Sequence, residues 1–135
     1  MKTIFKIIIL IFLFTNISYA DLIKPSSNLK PFDVLMIQLN SLKNNNVPYK
    51  DAGIEQTWAF AHPVNKAATG PLEKFKRMIY SDSYRILISH VNNNSIILKE
   101  TPNKFIYKVY VLSKNKKKYY YIWQIEKVSL EGKLK

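Results

Sequence analysis

The apolar residues of this chain keep two different rhythms, and the switch between them falls at Ser81. Upstream, Phe32, Leu35, Leu39 and Leu42 recur at spacings of 3, 4 and 3, which puts them on one stripe of a helix. Ile54, Trp58 and Ala61 repeat the pattern at 4 and 3, and Leu72, Phe75, Met78 and Ile79 form a third helical face. Downstream the period becomes two: Phe105, Tyr107, Val109 and Val111 alternate with Ile106, Lys108, Tyr110 and Leu112, and Tyr119, Tyr121, Trp123 and Ile125 alternate with Tyr120, Ile122, Gln124 and Glu126. Helices first and a meandering antiparallel sheet second is an α+β order, so N-terminal helices should pack on a curved sheet.

Turn and cap residues predict where these elements stop. Pro31 suits the first helical position, and Asn44-Asn45-Asn46 ends the first helix. Asp51 is placed to cap the second helix through its carboxylate. Pro63 ends that helix and leaves His62 at its C-terminus, where the dipole favours the charged imidazole. Thr69-Gly70-Pro71-Leu72-Glu73 opens a third helix, whose exposed side carries Lys74, Lys76 and Arg77. Strands are predicted over residues 84–91, 95–100, 105–112 and 119–129, with Asn92-Asn93-Asn94 as the first turn and residues 113–118 as a loop. The last two strands are apolar on both faces, which predicts a sheet covered on both sides. Leu130-Glu131-Gly132 reads as a hairpin turn into a further strand, and the sequence stops where that strand should run, as in a truncated product.

The ends and the charge bound the biology. Lys2 and Lys6, the apolar run 7–14 and Ser18-Tyr19-Ala20 read as a signal peptide over residues 1–20, cleaved between Ala20 and Asp21. The apolar run is too short for a membrane span, so no stable insertion is expected after cleavage, and the location is exported, periplasmic or secreted. Residues 21–29 form an extended leader and 30–135 a single domain. With no cysteine, that domain must be held by its core, without disulfides or thiolate metal sites. Lys and Arg number 21 against 9 Asp and Glu; removing Lys2 and Lys6 leaves 19 against 9, a charge of +10. Only Arg77 and Arg85 are arginines. Nucleic-acid recognition favours the forked guanidinium, and Lys, Asn, Ile and Tyr are abundant together as an AT-rich coding sequence would make them, so no nucleic-acid partner is expected.

Three helices followed by four or more strands resembles the cone fold of the nuclear-transport-factor-2-like superfamily. Phe60-Ala61-His62-Pro63-Val64-Asn65-Lys66, then Thr69-Gly70-Pro71, Phe75, Met78, Tyr84 and His90, is similar to a secreted family of unknown role, domain-of-unknown-function family 4864. The resemblance covers roughly residues 29–134 and implies a cone fold, export and a dimer through the sheet, but no activity. Relatives of that family close with a further aromatic-bearing strand that this chain lacks.

A cone leaves a hollow between helices and sheet, and Trp58, Tyr107, Tyr121 and Trp123 are the candidates to line it for a small apolar ligand. The plainer alternative is that they fill it as core. By analogy with isomerases and dehydratases of the superfamily, Glu126 beside Tyr120 or Tyr110 is the candidate catalytic carboxylate, against an ordinary rim carboxylate paired with lysine. His62 and His90, the only histidines, sit in no ligand or triad spacing, and neither a metal nor another cofactor is expected. Asn115-Lys116-Lys117-Lys118 makes a basic hairpin tip suited to anionic lipid or wall polymer, or to protecting a sheet edge. The expected function is a non-catalytic module binding a small ligand or a protein; a cone-pocket enzyme and a basic binder of anionic envelope polymers are the alternatives.

Overall fold

Helix does come first and sheet second in the computed structural model, which describes residues 21–129. The expected signal peptide with its Ala20–Asp21 cleavage point, and the expected turn at Glu131-Gly132, lie outside the described residues. The architecture is α+β: helices α1 (Pro31–Lys43), α2 (Ala52–Ala59), α3 (Pro63–Thr69) and α4 (Leu72–Ile79), one turn of 3-10 helix at Arg85–Leu87, then strands β1 (Asn92–Glu100), β2 (Lys104–Leu112) and β3 (Lys118–Glu126). The strands form an open antiparallel sheet in the order β1-β2-β3.

The α1 stripe behaves as its spacing requires: Leu35, Leu39 and Leu42 are wholly buried, while Phe32 at its start is 52% exposed and lies beside Tyr107, ring centroids 6.5 Å apart. Asp33 accepts from the Lys30 backbone N–H at 3.1 Å and so fixes the first turn. α2 lies almost in contact with α1, because a Cβ on Gly53 would stand 1.9 Å from the Ser41 carbonyl oxygen. The Gly53 N–H uses that closeness to donate to Asn45 O at 2.9 Å.

Two punctuation marks read differently in three dimensions. Asp51 occupies the cap position of α2, but with φ 64° and no side-chain cap bond. Its carboxylate accepts instead from Asn45 Nδ2 at 3.1 Å and from the Tyr80 hydroxyl. Buried Asn45 also accepts from the Ile54 N–H at 2.9 Å, so it does the capping and ties the ends of α1, α2 and α4 together. Pro63 does not merely end a helix: it is the first residue of α3, and His62 is the N-cap, its Nδ1 accepting from the Val64 N–H at 3.1 Å. Four helices therefore stand among the described residues where three were expected. Lys76 is also less exposed than predicted, lying between Glu55 and Glu73 at 3.6 and 3.5 Å.

The expected strand over 84–91 is a 3-10 turn followed by a bend in which Ser89, at φ 59°, donates its N–H to Leu42 O at 3.1 Å. The Asn92-Asn93-Asn94 turn is the start of β1, paired with Leu112, Val111 and Tyr110. Pairing with a neighbouring backbone outweighs the poor strand propensity of asparagine. Tyr107, Val109 and Val111 on β2 face the helices and are buried. Gln38 locks the two layers together: its Nε2 donates to Thr57 O at 3.1 Å and its Oε1 accepts from Trp123 Nε1 at 2.8 Å. The opposite sheet face is uncovered among the described residues, contrary to the two-sided expectation.

Candidate functional site

The four aromatic pocket candidates all lie on the helix side of the sheet, and each has neighbours in the core. Tyr107 is itself buried there, and Trp58, Tyr121 and Trp123 pack against the same cluster of Leu35, Leu39 and Val109. Trp58 packs against Phe75 with ring centroids 5.0 Å apart and the planes tilted by 42°. Tyr121 donates its hydroxyl to Ser83 O at 2.8 Å and stacks on Tyr84. Burial raises the phenol pKa of both Tyr107 and Tyr121, so both stay neutral hydrogen-bond groups. A surface groove of about 490 Å³ lies elsewhere, lined by Pro31, Glu100, Thr101, Pro102, Phe105 and Lys127.

Glu126 sits at the end of β3, opposite Lys104. Tyr110 and Tyr120 face each other six residues away, about 20 Å along the strand. The predicted grouping of Glu126 with either tyrosine therefore does not form. Its nearest titratable neighbour is His62, Nε2 to Oε2 3.7 Å, with both side chains about one-third exposed. That pair resembles a His–carboxylate dyad, but His62 Nδ1 is already occupied by the Val64 N–H. At 3.7 Å, His62 Nε2 lies beyond hydrogen-bond reach of the carboxylate, so the two side chains are not held as a dyad. His90, expected at a strand end, lies before β1 and is only 2% exposed. Nδ1 is 2.7 Å from Leu87 O and Nε2 2.9 Å from Asn93 Nδ2, so Nδ1 carries the proton and the ring is neutral. Burial lowers its pKa, with the Leu87 carbonyl opposing and Lys43 adding to the fall. Among the described residues no three His, Asp or Glu side chains gather as metal ligands.

What the structure does assemble is a surface. On the outer sheet face the register sets Ile96 beside Lys108 and Lys108 beside Ile122, and in the next row Asn94, Tyr110 and Tyr120. Tyr120 is 62% exposed, Ile122 57%, Ile96 47% and Tyr110 39%. The Lys108 ammonium lies 4.4 Å from the Tyr120 ring centroid and 5.3 Å from that of Tyr110, both within cation–π distance. At the β1 edge a register shift between Ile97 and Lys99 breaks the ladder, and Ile97 and Leu98 are half exposed there. One end of the face runs into the β2–β3 hairpin, where Lys114, Lys116, Lys117 and Lys118 are all exposed. The hairpin is held by Ser113 N–H to Lys117 O and Lys116 N–H to Ser113 O, both 2.9 Å. None of its four lysines forms an ion pair with another described residue.

Sequence reasoning named the hairpin tip but missed the face, because Tyr110, Tyr120 and Ile122 looked like a second buried layer. The signal that would have found it is Lys108: a lysine centred in an apolar alternation marks the solvent side of an antiparallel sheet. No family model, curated protein or solved structure matches this chain.

Proposed function

We propose that this chain is an exported, non-catalytic binding module whose working surface is the open face of its sheet. The observation that carries the reading is the exposed set Ile96, Tyr110, Tyr120 and Ile122 around Lys108, uncovered among the described residues. Scattered exposed apolar residues are ordinary, whereas a contiguous patch on one face marks an interaction site. The small-ligand reading has less support, since its four aromatics pack on one another's neighbours in the core. The enzyme reading has less again, since His62 and Glu126 are not hydrogen-bonded as a dyad and Glu126 lies about 20 Å along the strand from Tyr120.

The cone architecture and membership of family 4864 belong to this proposal; helices stacked on one face of an antiparallel meander support them. The face-to-face dimer is the weaker choice of partner. It would oppose Lys108 and Lys118 to their own kind, in chains that each carry +12, or +10 without residues 1–20.

A photo-crosslinking residue at position 122, in the protein exported by its own cells, tests the reading. We expect a discrete adduct at 122 and none at the exposed α4 position 77. No adduct at 122, or equal labelling at both, removes the face as a working surface.

A further inference from the structure

The outer face and the hairpin tip carry a strong excess of positive charge. Lys99, Lys104, Lys108 and Lys118 occupy outward register positions of the sheet, against Glu126 as the one carboxylate there, and Glu126 already has His62 beside it. Lys114, Lys116 and Lys117 extend the same basic surface past the end of the strands. Between these lysines stand two tyrosines and two isoleucines. Resting on the binding-face reading, we infer that the partner of this face is the surface of an anionic lipid bilayer, on which the protein docks peripherally.

Three features favour lipid over an acidic protein. The first is the use of lysine throughout. A lysine is a compact point charge that needs no fixed partner geometry, which suits a fluid array of headgroups, whereas recognition of defined carboxylates favours the arginine fork. The second is the nature of the apolar groups. Tyrosine places an apolar ring and a polar hydroxyl at the depth where headgroup meets acyl chain, and Ile96 and Ile122 flank the tyrosines on the same side of the sheet. The third is the arrangement: basic and apolar side chains share one plane, so one approach engages both. Among the described residues no helix is long and apolar enough to cross a membrane.

The test is flotation of the exported protein with vesicles of phosphatidylcholine alone and of phosphatidylcholine with ~30% phosphatidylglycerol, at about 0.05 M and 0.5 M salt. We expect at least tenfold more protein on the anionic vesicles at low salt and loss of that excess at high salt. The triple change Lys114→Gln, Lys116→Gln and Lys117→Gln should lower the bound fraction at least tenfold. The pair Tyr120→Ser and Ile122→Ser, which leaves the charge unaltered, should lower it about fivefold. Equal binding to both vesicles, no binding at low salt, or full binding by the serine pair overturns the inference. Retention by soluble polyphosphate as strong as by vesicles overturns it too, because phosphate charge alone would then suffice. If vesicles fail while the position-122 adduct to a protein persists, the lipid partner is wrong and the binding face stands; if both fail, the face itself is wrong.

Discussion

The seam between α1, α2 and α4 and the outer face of the sheet treat polar chemistry in opposite ways. At the seam, Asn45, Asp51 and the half-exposed Tyr80 bond one another and Asn45 takes the Ile54 amide, so the buried Asn45 and Asp51 side chains both have partners. On the outer face, Tyr110, Tyr120 and Lys108 are organised by weak ring–cation contacts and stay wet. The first arrangement fixes where helices meet, since a lost partner there leaves a desolvated group unpaired. The second adds little to stability, because nothing at the surface depends on it. A molecule that confines its polar precision to one side and leaves apolar side chains in water on the other has divided fold from contact.

Substitutions on the two sides should separate sharply. The largest effect is expected for Gly53→Ala: a methyl 1.9 Å from the Ser41 oxygen forces α1 and α2 apart, and urea unfolding should show a loss of about 3 kcal/mol or more, or no folded protein. A change below about 1 kcal/mol would mean the seam gives way easily. Asn45→Ala, which strands the Ile54 amide and leaves the Asp51 carboxylate with the Tyr80 hydroxyl but without the Asn45 donor, should cost about 2–3 kcal/mol in the same measurement. If Asn45→Ala matched a surface change, water would be doing what Asn45 does.

The pH dependence sharpens the contrast further. His90 has its pKa lowered below 6.5 in the folded protein, so below that value the unfolded chain binds more protons. Stability should be full above about pH 7 and fall as pH drops from 6.5 towards the folded pKa. His90→Gln should flatten that slope, seen as urea midpoints that agree at pH 7.5 and 5.5 apart from a background common to both proteins. Tyr80, whose pKa is raised first by its hydrogen bond to Asp51 and then by burial, should ionise above the ordinary phenol value in an alkaline absorbance titration. The stability it contributes is present below pH 10 and lost above it. On the outer face, Ile122→Ser should shift unfolding by no more than about 0.5 kcal/mol. A loss near that of a core isoleucine would show that something covers the face in solution.

The sequence made α1 and β2 legible because each satisfies its own period with strong residues: Leu35, Leu39 and Leu42 in one, Tyr107, Val109 and Val111 in the other. It hid α3 because Pro63 is equally good at ending one helix and starting the next, and only the His62 ring bonding Val64 decides between them. It misplaced β1 because three asparagines look like a turn until Leu112, Val111 and Tyr110 are there to pair with them. The leader's attachment is equally long-range: the Gln56 amide accepts from Ile23 N–H at 2.7 Å and donates to Ile23 O at 2.8 Å, across 33 residues. The candidate surface was the least legible part, since exposure of an apolar strand face depends on what does not pack there, and no local pattern encodes that.

The positions of the two tryptophans give the molecule an internal optical reporter. Trp58 rests on Phe75 within the helical layer, and Trp123 is hydrogen-bonded from the sheet to Gln38 on α1. Both indoles lie on the helix side, shielded from whatever meets the opposite face. Their emission should therefore shift when the layers part and stay constant when the outer surface is engaged, so intrinsic fluorescence will distinguish unfolding from adhesion without any added dye.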